Sequence, residues 1–163
     1  KLLRNKIKNH PRYPYHLLRE EMQEFILDKL QLLIERKLIK GIGVNGTEYT
    51  VIAQILDLPK EILRLIQKFD FTKKNPKLIY INTGETMISL QDSILVTFLN
   101  LAGFDILFFV PTGYQSVENY FAEKLMEEHQ IGEYKYDMQV PDLNNISTNS
   151  TRPSWRRKLF RRG

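Results

Sequence analysis

Between residues 76 and 120 the sequence runs through a strand, a capped helix and a second strand in succession, and no other feature restricts the fold as strongly. Residues 77–82 (Lys-Leu-Ile-Tyr-Ile-Asn) are β-branched and aromatic enough for a strand buried mostly on both faces. Residues 90–102 read as an apolar helix, opened by Ser89 with Asp92 three positions later and closed by Gly103, a residue suited to the left-handed cap position. Residues 105–110 are the most apolar run in the chain and are expected to be the central strand. Parallel strands joined by a crossover helix share one carboxyl edge, and open α/β sheets bind ligands there. The expected fold class is therefore α/β, with a mainly parallel, Rossmann-like sheet flanked by helices over residues 76–142. A helical segment over 15–75 precedes it, residues 1–14 read as a linker, and residues 143–163 as a flexible linker with a basic amphipathic tail.

The loops leaving the two strands supply the candidate site. Asn82, Thr83, Gly84, Glu85 and Thr86 follow the first strand; Pro111, Thr112, Gly113, Tyr114, Gln115 and Ser116 follow the second. The helix start at Ser89 has exposed amides and a positive dipole end that suit an anion. A further helix is expected through Glu118, Phe121, Leu125 and Met126, so that its start near Ser116 receives phosphate or carboxylate while Thr112 and Ser116 add hydroxyl donors. Asn82, Thr83, Gly84, Thr86, Thr112, Gly113, Tyr114 and Ser116 are the ligand-binding candidates. Gly113 is explained equally well by a tight turn that needs glycine. Glu85 and Glu118 are the candidate acid and base, facing one another across the two loops. Ser89 and Ser116 have no adjacent base and read better as caps than as nucleophiles. Neither a G-x-G-x-x-G nor a Walker-type G-x-x-x-x-G-K-[ST] pattern is present, so no particular nucleotide cofactor is indicated.

Composition removes several chemistries. The chain has no cysteine, which excludes disulfides, thiolate nucleophiles and thiolate metal sites. His10, His16 and His129 lack metal-ligand spacing, and no metal site is expected. No run of roughly 18 apolar residues occurs and the first residues lack the core of a signal peptide, so a cytoplasmic product is expected. The Asn-x-Ser/Thr triplets at Asn45, Asn145 and Asn149 are then chance.

The net charge of +5 is concentrated at one end. Arg152, Arg156, Arg157, Lys158, Arg161 and Arg162 carry six positive charges, so five less six leaves the remainder near −1. A basic groove over the body is not supported, and nucleic acid is disfavoured as a partner. With Trp155 and Phe160 those cations suit a short helix resting on an anionic membrane surface, at about 1 kcal/mol per cation near the lipid. A solubilising tail fits the composition as well.

The first half reads as three helices. Leu18, Met22, Phe25, Ile26, Leu30, Leu33 and Ile34 recur every three or four residues over 15–39, with Gly41 and Gly43 ending the pattern. That stripe is either core or a partner surface. Residues 48–56 and 59–69 give two more helices, with Pro59 tolerated in a first turn. Their junction resembles a helix-turn-helix, but the polar face of the second helix (Lys60, Glu61, Arg64, Gln67, Lys68) is of mixed sign, which favours simple packing. Alternation over 134–140 suggests a third strand.

Several separated motifs carry a family resemblance: Phe69-Asp70-Phe71-Thr72, residues 75–82, Leu101-Ala102-Gly103-Phe104-Asp105-Ile106, Val110-Pro111-Thr112-Gly113-Tyr114 with Glu118, and Ile131-Gly132-Glu133-Tyr134 with Tyr136-Asp137. Over residues 48–143 the chain resembles the carboxyl-terminal portion of the YceG-like proteins of Gram-positive bacteria. The resemblance implies a larger protein encoded beside tellurite-resistance (TerD-type) genes, a stress-response setting and a role in a small-molecule biosynthetic module. No catalytic residue set comes with it. The expected function is binding of a phosphorylated or nucleotide-like small molecule at the carboxyl edge, in a transferase-like protein partnered by its own upstream region or operon neighbours. The competing expectation is a non-enzymatic interaction module whose basic tail binds the membrane surface.

Overall fold

The helical stripe around Ile26 and Leu30 is the centre of the molecule. In the computed structural model, which describes residues 3–68, 74–84, 88–114 and 118–140, helix α2 spans Glu20–Glu35 and follows a short helix α1, Arg4–Lys8. Ile26, Leu27, Leu30 and Leu33 have no exposed surface, so the stripe is core and not a free partner face. Each such side chain contributes about 1.5–3 kcal/mol on burial. Helix α2 stops one turn earlier than its apolar spacing suggests. Leu38 donates its N–H to the Leu33 carbonyl at 3.4 Å and Lys37 to that of Ile34 at 3.1 Å, with Lys37 itself left-handed at φ 51°. This six-to-one closure normally recruits glycine, and a lysine in its place leaves no mark in the sequence.

Residues before α2 are more ordered than a linker composition implies. Lys8 donates to Glu24 at 2.8 Å and pairs with Glu20, while Arg4 pairs with Asp28 and donates from Nε to Gln31 at 2.8 Å. These bonds raise the Lys8 pKa, Glu20 contributing most, and Lys8 in turn lowers that of Glu24. Tyr13 and Tyr15 are buried behind this pairing, their rings edge to face at 5.8 Å. The Tyr15 hydroxyl donates to the Ile55 carbonyl at 2.6 Å and accepts the Leu58 N–H at 3.0 Å. It thereby pins the junction between α3, Thr47–Ile55, and α4, Lys60–Gln67.

Strand β1 (Lys77–Ile81), helix α5 (Leu90–Leu101) and strand β2 (Asp105–Phe109) follow. The strands pair in parallel, in register from Lys77 opposite Asp105 to Ile81 opposite Phe109. Helix α5 packs on α2, α3 and β2, and is buried almost all round. Its interior hydroxyls are satisfied locally, Ser93 donating to the Ser89 carbonyl at 2.9 Å and Thr97 to that of Ser93 at 2.7 Å. Gly103, at φ 100°, closes α5 in the expected left-handed position, with Phe104 N–H on the Leu99 carbonyl at 3.0 Å. The fold is thus a mixture of helices and a small two-stranded parallel sheet.

Four expectations do not hold among the described residues. With two strands, β2 is not central, and each strand is covered on one face only: Leu78, Tyr80, Ile106 and Phe108 turn to the core, while Ile79, Ile81, Leu107 and Phe109 are exposed. The helix expected through Glu118, Phe121, Leu125 and Met126 is absent. Phe121 instead forms an antiparallel bridge with Ile39, flanked by Lys40 N–H to Tyr120 carbonyl at 2.8 Å and Ala122 N–H to Leu38 carbonyl at 2.9 Å. Residues 134–140 alternate in sequence but form no strand.

Candidate functional site

Because β1 and β2 run the same way, the residues that leave them meet on one rim. Asn82 donates its N–H to the Phe109 carbonyl at 3.0 Å, carrying the pairing one residue past the strands. The Asn82 side-chain oxygen then accepts the Gly84 N–H at 3.3 Å, a turn that holds Thr83 half-buried at the rim. On the β2 side, the Gly113 N–H closes a turn onto the Val110 carbonyl at 3.0 Å, and the nearly buried Thr112 hydroxyl accepts the Tyr114 N–H at 3.3 Å. Tyr114 is left 54% exposed.

Gly113 has two structural reasons to be glycine. Its φ is 67°, and a Cβ there would overlap the ring of Tyr134. The segment carrying Tyr134 is fastened to the same turn by the Lys135 N–H, which donates to the Pro111 carbonyl at 2.8 Å. Residues 134–136 therefore cross the exit of β2, where the sequence suggested another strand. This brings the exposed Tyr134 against the turn that carries Tyr114, a proximity that strand alternation concealed.

Helix α5 begins at this rim, but its start is occupied. The Ser89 hydroxyl accepts the Asp92 N–H at 3.0 Å and donates to the Asp92 carboxylate at 2.7 Å. That carboxylate stands where an anion would sit and would repel one. Burial pushes the Tyr80 phenol up from its ordinary value, and the nearby Asp92 charge adds to the shift. The second anion cradle has no helix behind it: residues 118–120 form a turn, and Glu118 is exposed. Of the remaining candidates, Glu85, Thr86 and Ser116 lie outside the described residues, as do Arg152, Trp155, Arg156, Arg157, Lys158, Phe160, Arg161 and Arg162 of the tail. The rim thus brings together Asn82, Thr83, Gly84, Thr112, Gly113 and Tyr114. Among the described residues no three His, Cys, Asp or Glu side chains cluster to hold a metal ion.

A cleft of about 480 Å³ lies elsewhere, between α5, β2 and residues 121–127. Val96, Leu101, Phe108 and Met126 give it apolar walls, and Arg36 and Glu123 add opposite charges to its lining. The sequence gives no sign of it, because the wall formed by residues 121–127 is brought in by the Ile39–Phe121 bridge, between positions far apart in the chain. No helix among the described residues is long and apolar enough to cross a membrane.

Comparison with known proteins agrees with the motifs. Residues 1–151 match the family described as the YceG domain, which extends the likeness over the helical layer as well as the sheet. The chain is 29% identical over 103 residues to a protein of Bacillus subtilis (strain 168) called "Uncharacterized protein YceG". The match covers 61% of this chain and 19% of that relative, so the chain spans under a fifth of the length of the curated relative it matches. No solved structure matches. A family match that takes in all but the last residues of the chain decides its membership: this chain belongs to the YceG domain family.

Proposed function

We propose that this region binds a nucleotide-like small molecule at the carboxyl rim of a Rossmann-like sheet, as one wall of a site in a larger, transferase-like YceG protein. The observation that carries the reading is the parallel register of β1 and β2, which sends both exit loops to one side. Asn82 and Thr83 orient a polar group, the missing side chain at Gly84 leaves room for the ligand beside them, and Tyr114 with Tyr134 offers ring faces for a base or sugar. Phosphate is held outside the start of α5, since Asp92 occupies that position. Glu118, with Glu85, handles protons. The biological setting we propose is a stress-linked, tellurite-associated biosynthetic module in the cytoplasm, with the basic tail resting on anionic membrane.

A thermal-shift panel of nucleotides and nucleotide sugars on the intact protein tests the reading. A ligand at roughly 100 times its Kd stabilises by about 2.7 kcal/mol, a shift of several degrees. Tyr114→Ala and Asn82→Ala should remove the shift. An unchanged melting temperature across the panel would count decisively against ligand binding at the rim. Co-sedimentation with anionic vesicles, with and without residues 152–163, checks the tail separately; equal sedimentation removes the membrane role.

A further inference from the structure

The outward face of the β1–β2 sheet has the composition of an interior. In register across the strands it reads Lys77 with Asp105, then Ile79 with Leu107, then Ile81 with Phe109. The first pair is an exposed ion pair at 2.6 Å; the four residues beyond it are all apolar, Ile79 and Leu107 being 59% and 57% exposed. Parallel sheets are almost always covered on both sides, because crossover connections lay helices on their faces. Helix α5 covers only the inner side here.

We infer that this face is the seat of an amphipathic helix contributed by another part of the intact YceG polypeptide. Three arguments select that occupant over a second copy or a foreign protein. The first is length: the matched region is 19% of the B. subtilis relative, so most of such a protein lies outside this chain. The second is topology. Right-handed crossovers place α5 on one face, and a further parallel strand added beyond β1 would bring its connecting helix to the opposite one. The third is size. Five residues of strand span about 16 Å and two strands lie about 4.8 Å apart, room for one helix of roughly three turns at 5.4 Å each. Two apolar cross-strand pairs are too small an area for a stable dimer, which needs about 800 Å² per partner. The Lys77–Asp105 pair marks where the helix ends, since burying it would strip both charges of water. The inference shares only the parallel sheet with the ligand reading, and failure of ligand binding leaves it standing.

Thiol labelling of the intact protein tests it. Leu107→Cys and, as an exposed reference, Val44→Cys are each introduced into the intact protein, and maleimide modification is followed peptide by peptide; Val44 is 88% exposed. Leu107→Cys should label roughly 100-fold more slowly than the reference at every protein concentration. Equal rates overturn the inference, and so does protection that vanishes on dilution, which would assign the face to a second copy. Hydroxyl-radical footprinting of Phe109 against the exposed Tyr49 repeats the comparison without any substitution: Phe109 as reactive as its exposure here suggests would also overturn the inference. A photo-reactive benzoylphenylalanine at position 107 should cross-link within the same polypeptide, to a helix beyond the 1–151 region. Cross-links to other proteins alone would refute it.

Discussion

The helical layer and the sheet are both rich in aliphatic and aromatic residues, yet only the first closes around them. Phe98 and Leu30 have no exposed surface, whereas Leu107 and Ile79 in the strands are more than half exposed. What separates the two regions is the number of elements packed on each side. Helix α5 has α2, α3 and the sheet around it, while among the described residues α5 is the main helix packed on the sheet. Apolar content in a run of sequence therefore announces that a segment needs cover, without saying where the cover comes from.

The largest test of that contrast is in the core. Phe98→Ala should cost about 3–5 kcal/mol in denaturant unfolding. Leu107→Ala in this 163-residue chain should stay within roughly 0.5 kcal/mol. Similar costs for both would erase the distinction. Next come the two neighbouring phenols. Tyr15→Phe strands the Ile55 carbonyl and the Leu58 N–H, a loss of about 1–3 kcal/mol. The buried Tyr13 hydroxyl has no partner among the described residues, so Tyr13→Phe should be neutral or slightly stabilising. Burial pushes the Tyr15 pKa up to about 12, despite the bond from Leu58. A phenol favoured in its neutral form contributes fully below about pH 10, the ordinary tyrosine value, and that contribution disappears as pH rises toward the folded value. Alkaline titration of the wild type should show this loss and the Tyr15→Phe variant should not.

At the rim, Gly113→Ala should destabilise by about 1–2 kcal/mol from its left-handed backbone alone, with the Tyr134 overlap adding to it. Tyr134→Ala in the same background should restore the second part only, which a double-mutant cycle reads directly. The smallest effect belongs to the outward ion pair. The hydrogen bond from Lys77, helped by Asn75, holds the Asp105 carboxyl below its usual range. Its contribution is present above about pH 4, the ordinary aspartate value, and is lost as pH falls through the folded pKa. Carboxyl NMR titration should show the Asp105 midpoint rising in Lys77→Met. No change would mean that the pair does not form in solution.

Much of the sheet was readable from residues. The β-branched runs, the Ser89 cap and the Gly103 closure each depend on local chemistry and appear where expected. The end of α2 was not readable, because Lys37 adopts a backbone shape that its side chain does not signal. Residues 118–126 have helical spacing, but Phe121 gains more from pairing with Ile39, 82 positions away, than a local pattern can register. The shared direction of β1 and β2 was legible, and with it the common side on which residues 82–84 and 112–114 leave the strands. The contribution of Tyr134 was hidden, since nothing in its own segment reveals the loop it crosses. The start of α5 was misread for a similar reason: the motif Ser-x-x-Asp marks a helix start and at the same time fills it.

The Ile39–Phe121 bridge has a mechanical consequence. It closes a loop that contains α3, α4, β1, α5 and β2, so tension pulling residues 38 and 122 apart loads this rung before it reaches the strands. A tug applied between those two positions would be absorbed there, leaving the strands undistorted until the rung gives way.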